Sequence, residues 1–347
     1  MTKQHEITEK KPLLKEDGTL TEEGWAKSLL LKYDRSKIRA SWLRIKEWDY
    51  YYVINHDGQY GLTCTVADLG YIGLMAVAWL DFKEKKFTQF DTLAFFPRGK
   101  IGLLPDSGNG VVSYKDKKIS IKYEYNLPER RIIIEAPKFK TNEGKKGLKA
   151  NIVLHQPPEM DSIVIATSWK ENRKAFYYNQ KINCMPAKGE VKIGDDVYSF
   201  QPENSMGGLD WGRGRWTYKN RWYWSSVSGY IKSVPFGWNL GYGFSDRTPA
   251  SENAVFYDNK IHKLDEVVFH FDKNNYMKPW EFTSNDGRLE MKFMPLLDRS
   301  SKFNLLFLKS IQHQVFGYFT GKVILDDVTE LQIENMLGFA EDVLNCW

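Results

Sequence analysis

The residues best suited to chemistry gather in one stretch, Gly207–Phe244, where Asp210, Arg213 and Arg215 are set among Trp211, Trp216, Trp222 and Trp224. A carboxylate among indoles has its pKa raised unless a guanidinium pairs with it, so Asp210 is a candidate general acid or base. Arg213 and Arg215 are candidate anchors for a ligand's oxygen atoms. The indole faces suit an apolar ligand or a developing cation. The same residues also support a plainer reading: Asp210 paired with Arg213 or Arg215 as an ionic knot closing one end of a barrel. The stretch holds five of the chain's twelve tryptophans and eight glycines, more indole than a surface loop carries.

Further polar residues fall into smaller clusters. Glu252-Asn253 and His262 lie on neighbouring expected strands, with Glu252 and His262 as second candidates for proton transfer. Asn239, Asn253, His313 and Gln314 can hydrogen-bond a ligand's hydroxyl or carbonyl. In Lys46-Glu47-Trp48-Asp49-Tyr50, strand alternation puts Glu47, Asp49 and Tyr51 on one face, either a polar barrel interior or an exposed acidic surface. The six histidines form no HExxH or HxH pattern, so no metal site is expected. The Gly-Arg-Gly-Arg run lacks the flanks of a phosphate loop or a dinucleotide fingerprint, and no GxSxG elbow is present. No cofactor is expected.

Composition sets broad limits. The chain has 347 residues, enough for two domains, and 42% of them are hydrophobic and 15% aromatic. The net charge of +5 is uneven: residues 1–185 carry 31 Lys/Arg against 23 Asp/Glu. The basic residues are scattered pairs with no stripe, which argues against a nucleic-acid partner. Cys64, Cys184 and Cys346 are isolated, as in a reducing compartment. The first twenty residues lack an apolar signal segment, and no run is long enough to span a bilayer as a helix. A cytoplasmic protein is expected.

The elements that must position these residues read as β throughout. Trp42–Asn55 is rich in aromatic and β-branched residues and ends at the hairpin signal His56-Asp57-Gly58. Strands of 5–10 residues with regular turns follow, the pattern of an all-β barrel or sandwich. The chain is expected to restart near the Met185-Pro186-Ala187 break. The reading is therefore an N-terminal arm over 1–40, a first barrel over 41–185 and a second over 186–347, with Gly207–Phe244 opening the second. Thr21-Glu22-Glu23 has the look of a helix start. The last segment is ambiguous, since Ile333, Met336, Leu337, Ala340 and Leu344 could also line a helix face.

The string RIKEWDYYYV, DLGYIG, LDWGRGRW, NLGYGF, ENAVFYDNKIHKLDEV, DGRLEMKFMP and HQVFGYFTGKV resembles the bacterial domain of unknown function 2804, from about Pro12 to Trp347. More distantly the chain resembles the lipocalin-like superfamily of carotenoid 1,2-hydratase (hydroxyneurosporene synthase) and tocopherol cyclase. There a Trp/Asp/Gly element sits where Asp210-Trp211-Gly212 stands, and a closing strand resembles Gly338-Phe339-Ala340-Glu341. The resemblance implies two tandem calycin-type antiparallel barrels with a ligand cavity and few short helices. The leading expectation is a protein that takes a hydrophobic or amphipathic small molecule into an aromatic-lined cavity, with or without hydratase, isomerase or cyclase chemistry. Carbohydrate recognition, and a scaffold whose tryptophans are only core, are the alternatives.

Overall fold

The computed structural model describes residues 4–305 and 308–347. It is nearly all β, and its contacts divide the chain into two compact units. One comprises residues 32–160 and 185–215, the other residues up to 31, 161–184 and 216–347. Each contains a curled antiparallel sheet, so the fold is a tandem of two lipocalin-like barrels.

In the first barrel, neighbouring strands follow the order Lys86–Phe95, Ile72–Asp81, Tyr60–Asp68, Ile45–Asn55 and Ser205–Arg215. A second run carries Lys146–His155, Glu129–Lys140, Ser120–Asn126 and Asn109–Lys115, beginning from the end of the long strand Asn172–Ile193. The sheet curls until Lys86–Phe95 meets Glu129–Lys140. Ile121, Ile132, Ile134, Ile152 and Leu154 point inward at alternate positions, which is why these runs form strands with one buried face. The hairpin expected at His56-Asp57-Gly58 joins Ile45–Asn55 to Tyr60–Asp68, with Asn55 opposite Tyr60.

The second barrel is a nine-stranded meander. Its order is Lys260–Lys263, Ala254–Tyr257, Val234–Tyr242, Lys219–Ile231, Glu330–Cys346, Leu308–Ile324, Leu289–Leu305, Trp280–Ser284 and Val267–His270. Val234–Tyr242 and Val267–His270 approach each other at the closure. Trp238, Trp280, Phe282, Phe293 and Phe319 fill the interior, with Phe293 and Phe319 centroids 4.3 Å apart. Asn285-Asp286-Gly287-Arg288 turns the hairpin between Trp280–Ser284 and Leu289–Leu305, and Gly287 takes the φ of 70° that favours glycine there.

Several local expectations differ from the structure. Thr21-Glu22-Glu23 begins no helix: Gly24–Ala26 pairs as a strand with Ile163–Trp169, and the Glu23 carboxylate accepts from the Ser168 amide (3.0 Å) and hydroxyl (2.7 Å). Tertiary pairing outweighs the acidic first-turn signal. At Met185-Pro186-Ala187 the chain passes from one unit to the other, between residues 184 and 185, but the strand is not broken: Asn172–Ile193 runs through as one strand with Ala187 opposite Leu154. The ambiguous C-terminal segment is the strand Glu330–Cys346, paired on both sides. The stretch read as opening the second barrel divides at Arg215: Ser205–Arg215 pairs along its whole length with Ile45–Asn55, and only Lys219 onward enters the second barrel's wall.

Candidate functional site

In the first barrel, alternation along Ile45–Asn55 sends Glu47 and Asp49 inward, and both are fully buried. The polar-interior reading of that strand therefore holds, and the exposed acidic face is not found. The partner of Arg213 is Asp49, with Nη2 and a carboxylate oxygen 2.9 Å apart. Arg213 also donates to the carbonyls of Trp48 (2.7 Å) and Leu104 (2.8 Å) and lies 4.2 Å over the Trp211 ring. Tyr125 donates to Asp49 (2.6 Å) and Tyr33 to Glu47 (2.7 Å), while Arg35 closes on the other oxygen of Glu47. Burial works against the Arg213 charge, but Asp49 and Glu47 outweigh it and its pKa is raised. Burial first, then Asp49, pushes the Tyr125 hydroxyl well up. Asp210 is one residue out of phase with this network: alternation places it on the opposite face of Ser205–Arg215 from Trp211 and Arg213, opposite Tyr50 in register. The ionic knot exists, but it is built on Asp49. Arg215 donates to the Arg39 carbonyl (3.0 Å).

In the second barrel the polar residues collect on the wall face that turns away from the aromatic core. Core residues Val227, Trp238, Leu240, Val315 and Ala340 occupy one side of these strands. Their neighbours on the other side form a cross-strand row: Arg299 is opposite Gln314, Gln314 opposite Glu341, Glu341 opposite Trp224, and Trp224 opposite Gly241. Arg299 donates to Gln314 (2.6 Å), and Gln314 to the Glu341 carboxylate (2.7 Å). Gly241 leaves room for Glu252, whose Oε1 lies 1.8 Å from the point where a Cβ at 241 would stand. Trp224 donates to Asn239 (2.7 Å), and Asn239 donates to the Glu252 carbonyl (2.9 Å). Two buried or half-buried carboxylates thus flank one indole.

The strand Asn172–Ile193 completes the arrangement with alternate residues. Asn179 donates to the Glu252 carboxylate (2.5 Å), the Lys181 ammonium stands 4.2 Å over the Trp224 ring, and Asn183 donates to Ser226 (2.7 Å). The Glu252 segment is held from both sides: Lys263 donates to Ser251 (2.9 Å) and to the Asn253 carbonyl (2.9 Å), and Asn253 accepts from the Gly241 amide (2.8 Å). Asn179, Lys181, Glu341 and Arg299 were not singled out as site residues. A period-2 pattern of Asn-x-Lys-x-Asn over 179–183 was the available signal, and it becomes readable only once the opposing wall is known.

The remaining candidates lie elsewhere. Trp216 packs edge-on against Trp169, Tyr177 and Trp347, with Trp222 beside it, as an aromatic cluster. His262 accepts from the Asp326 amide (3.2 Å), a structural role at a turn. His313 bonds Asp298 (2.8 Å) and stacks on Tyr276 at 3.8 Å. Among the described residues no group of His, Cys, Asp and Glu could hold a metal ion. No helix among the described residues is long and apolar enough to cross a membrane.

The family model for a domain of unknown function, DUF2804, matches residues 4–347. The chain belongs to that family. Nothing among curated proteins matches it. Among solved structures it is similar to a Nitrosomonas europaea protein described as an AttH, at 12% identity and a TM-score of 0.53, covering 91% of this chain and 96% of that one. It is similar to kievitone hydratase from Nectria haematococca, at 12% identity and a TM-score of 0.52, covering 87% and 88%. It is also similar to CghA with Sch210972, at 10% identity and a TM-score of 0.51, covering 87% and 88%. At such identities the likeness is one of fold.

Burial pushes Lys46 and Lys263 down from 10.5 to about 7, and pushes the hydroxyls of Tyr51 and Tyr242 up from 10.0 to about 12. Between pH 7 and 9 the unfolded lysines bind more protons than the folded ones, so stability rises with pH. Burial also pushes the thiols of Cys64 and Cys184 up from 9.0 to about 12. Above pH 9 the unfolded thiols, and then the unfolded tyrosines, lose protons that the folded ones keep, so stability falls. The urea midpoint measured across this range is expected to peak near pH 9.

Proposed function

We propose that this DUF2804 protein binds an amphipathic small molecule at the Trp224 face and moves a proton on it. The observation that carries this is the Glu341–Trp224–Glu252 row with Lys181 over the indole. Trp224 gives a large apolar ring, 6% exposed, and Phe339 packs edge-on against it at 4.9 Å. Lys181 is a cation in a buried setting, so an oxygen bearing negative charge is the ligand group it favours. An ammonium against the Trp224 face disfavours a carbocation on that face. The chemistry supported best is therefore acid–base hydration or isomerisation of a double bond conjugated to an oxygen function, not protonation of a bare polyene. Glu252 gives or takes the proton, Lys181 balances charge on the oxygen, and Asn179 orients the Glu252 carboxylate. The hydratase among the similar structures supports this class of reaction as a starting point for assays.

The test uses Gly241→Ala. Gly241 is not in a left-handed conformation, so the added methyl meets no backbone obstacle of its own, yet it occupies the place of the Glu252 carboxylate. The methyl displaces a buried, hydrogen-bonded carboxylate, so the variant is expected to fold with a lowered thermal midpoint. Its affinity for an α,β-unsaturated fatty acid, measured calorimetrically, is expected to fall about tenfold or more. Unchanged fatty-acid binding in the variant, or binding of oligosaccharides and not fatty acids by the wild type, contradicts the reading.

A further inference from the structure

The first barrel carries a second feature, remote in chemistry from the Trp224 row. At the end of Lys86–Phe95 the side chains of Leu93 and Phe95 point outward, 48% and 74% exposed, opposite half-buried Leu74 and Ile72 in register. Phe96 follows at 57% exposure and Leu43 stands nearby at 44%. A solvent-facing cluster of this kind is unfavourable unless something apolar covers it. Phe96 and Arg98 have φ of 51° and 53°, a left-handed conformation that bulky residues rarely adopt. The turn is fixed in place: the buried Asp68 carboxylate accepts from the Gly99 amide (2.6 Å), and the Phe96 amide donates to the Tyr71 carbonyl (3.0 Å). Strain held this firmly at an exposed aromatic tip points to use.

The charges beside the tip are basic. The Arg98 guanidinium lies 4.3 Å over Trp42 and 6.0 Å from Phe96, Lys100 is exposed two residues on, and Arg44 adjoins Leu43. The acid on the same strand face, Asp91, lies one turn of alternation further back. We propose that Leu93, Phe95 and Phe96 form a wedge that enters the headgroup region of an anionic phospholipid membrane, with Arg98, Lys100 and Arg44 meeting lipid phosphates. Apolar side chains in the acyl boundary and cations at the headgroups are the two components such a contact needs.

Flotation with vesicles tests it. The full chain is expected to float with phosphatidylcholine vesicles containing phosphatidylglycerol and much less with phosphatidylcholine alone, and added salt should weaken the binding. Phe95→Ser is expected to reduce the bound fraction about tenfold or more, and Arg98→Gln with Lys100→Gln to remove the preference for anionic lipid. All these positions are exposed, so circular dichroism melts should not shift. Failure of the wild type to float, or equal flotation of Phe95→Ser, overturns the proposal. So does a dimer by light scattering that Phe95→Ser dissociates, which would assign the patch to a second copy. None of these outcomes bears on ligand binding at Trp224.

Discussion

Replacing Arg213 with Leu is expected to destabilise the first barrel by about 3–5 kcal/mol. The guanidinium is wholly buried and serves Asp49 and the carbonyls of Trp48 and Leu104. Its loss strands the Asp49 carboxylate, which is far costlier than the net worth of the pair. Thermal unfolding followed by circular dichroism should show a midpoint lower by on the order of 10 °C. Arg213→Lys should recover little, since one ammonium cannot replace donors directed at Asp49, Trp48 and Leu104 together. Asp49→Leu combined with Arg213→Leu should recover part of the loss, because no charge is then left unpaired. Asp210→Asn makes the informative contrast: if the knot were built on Asp210, that variant would show the larger loss.

Glu252→Gln is expected to lower turnover by about 10²–10⁴-fold once a substrate is in hand, the usual range for removal of a positioned proton-transfer group. The amide keeps the size and much of the hydrogen bonding of the carboxylate, so ligand affinity should change far less than rate. That split separates proton transfer from simple binding. Lys181→Gln should instead weaken binding of the charged ligand and leave that of a neutral analogue almost unaltered. His262→Gln should alter neither, because His262 serves the Asp326 turn.

Much of the fold was legible in the sequence because period-2 alternation states which residues are inside. Glu47 and Asp49 were placed on one face from the pattern alone, and that face is the barrel interior. The all-β class and the tandem of barrels follow from the same regularity and from the resemblance to DUF2804. What alternation cannot state is which strands become neighbours. Ser205–Arg215 pairs with a strand more than 150 residues earlier, so the choice between Asp210 and Asp49 as partner of Arg213 depended on a register invisible locally. The same limit hid Lys181. It is an unremarkable lysine in a long strand until Lys219–Ile231 is laid beneath it, when it becomes the cation over Trp224. Glu252, Asn239, Trp224 and Gln314 were named from residue type, and the fold joins them through a row of cross-strand neighbours that sequence spacing does not reveal.

A crystal structure of the protein with an α,β-unsaturated fatty acid tests most directly whether the ligand binds at the Trp224 face. Density is expected along Trp224, with the carboxylate against Lys181 and the double bond conjugated to it beside Glu252. Density lodged elsewhere, with the Trp224 row untouched at saturating ligand, would contradict binding there.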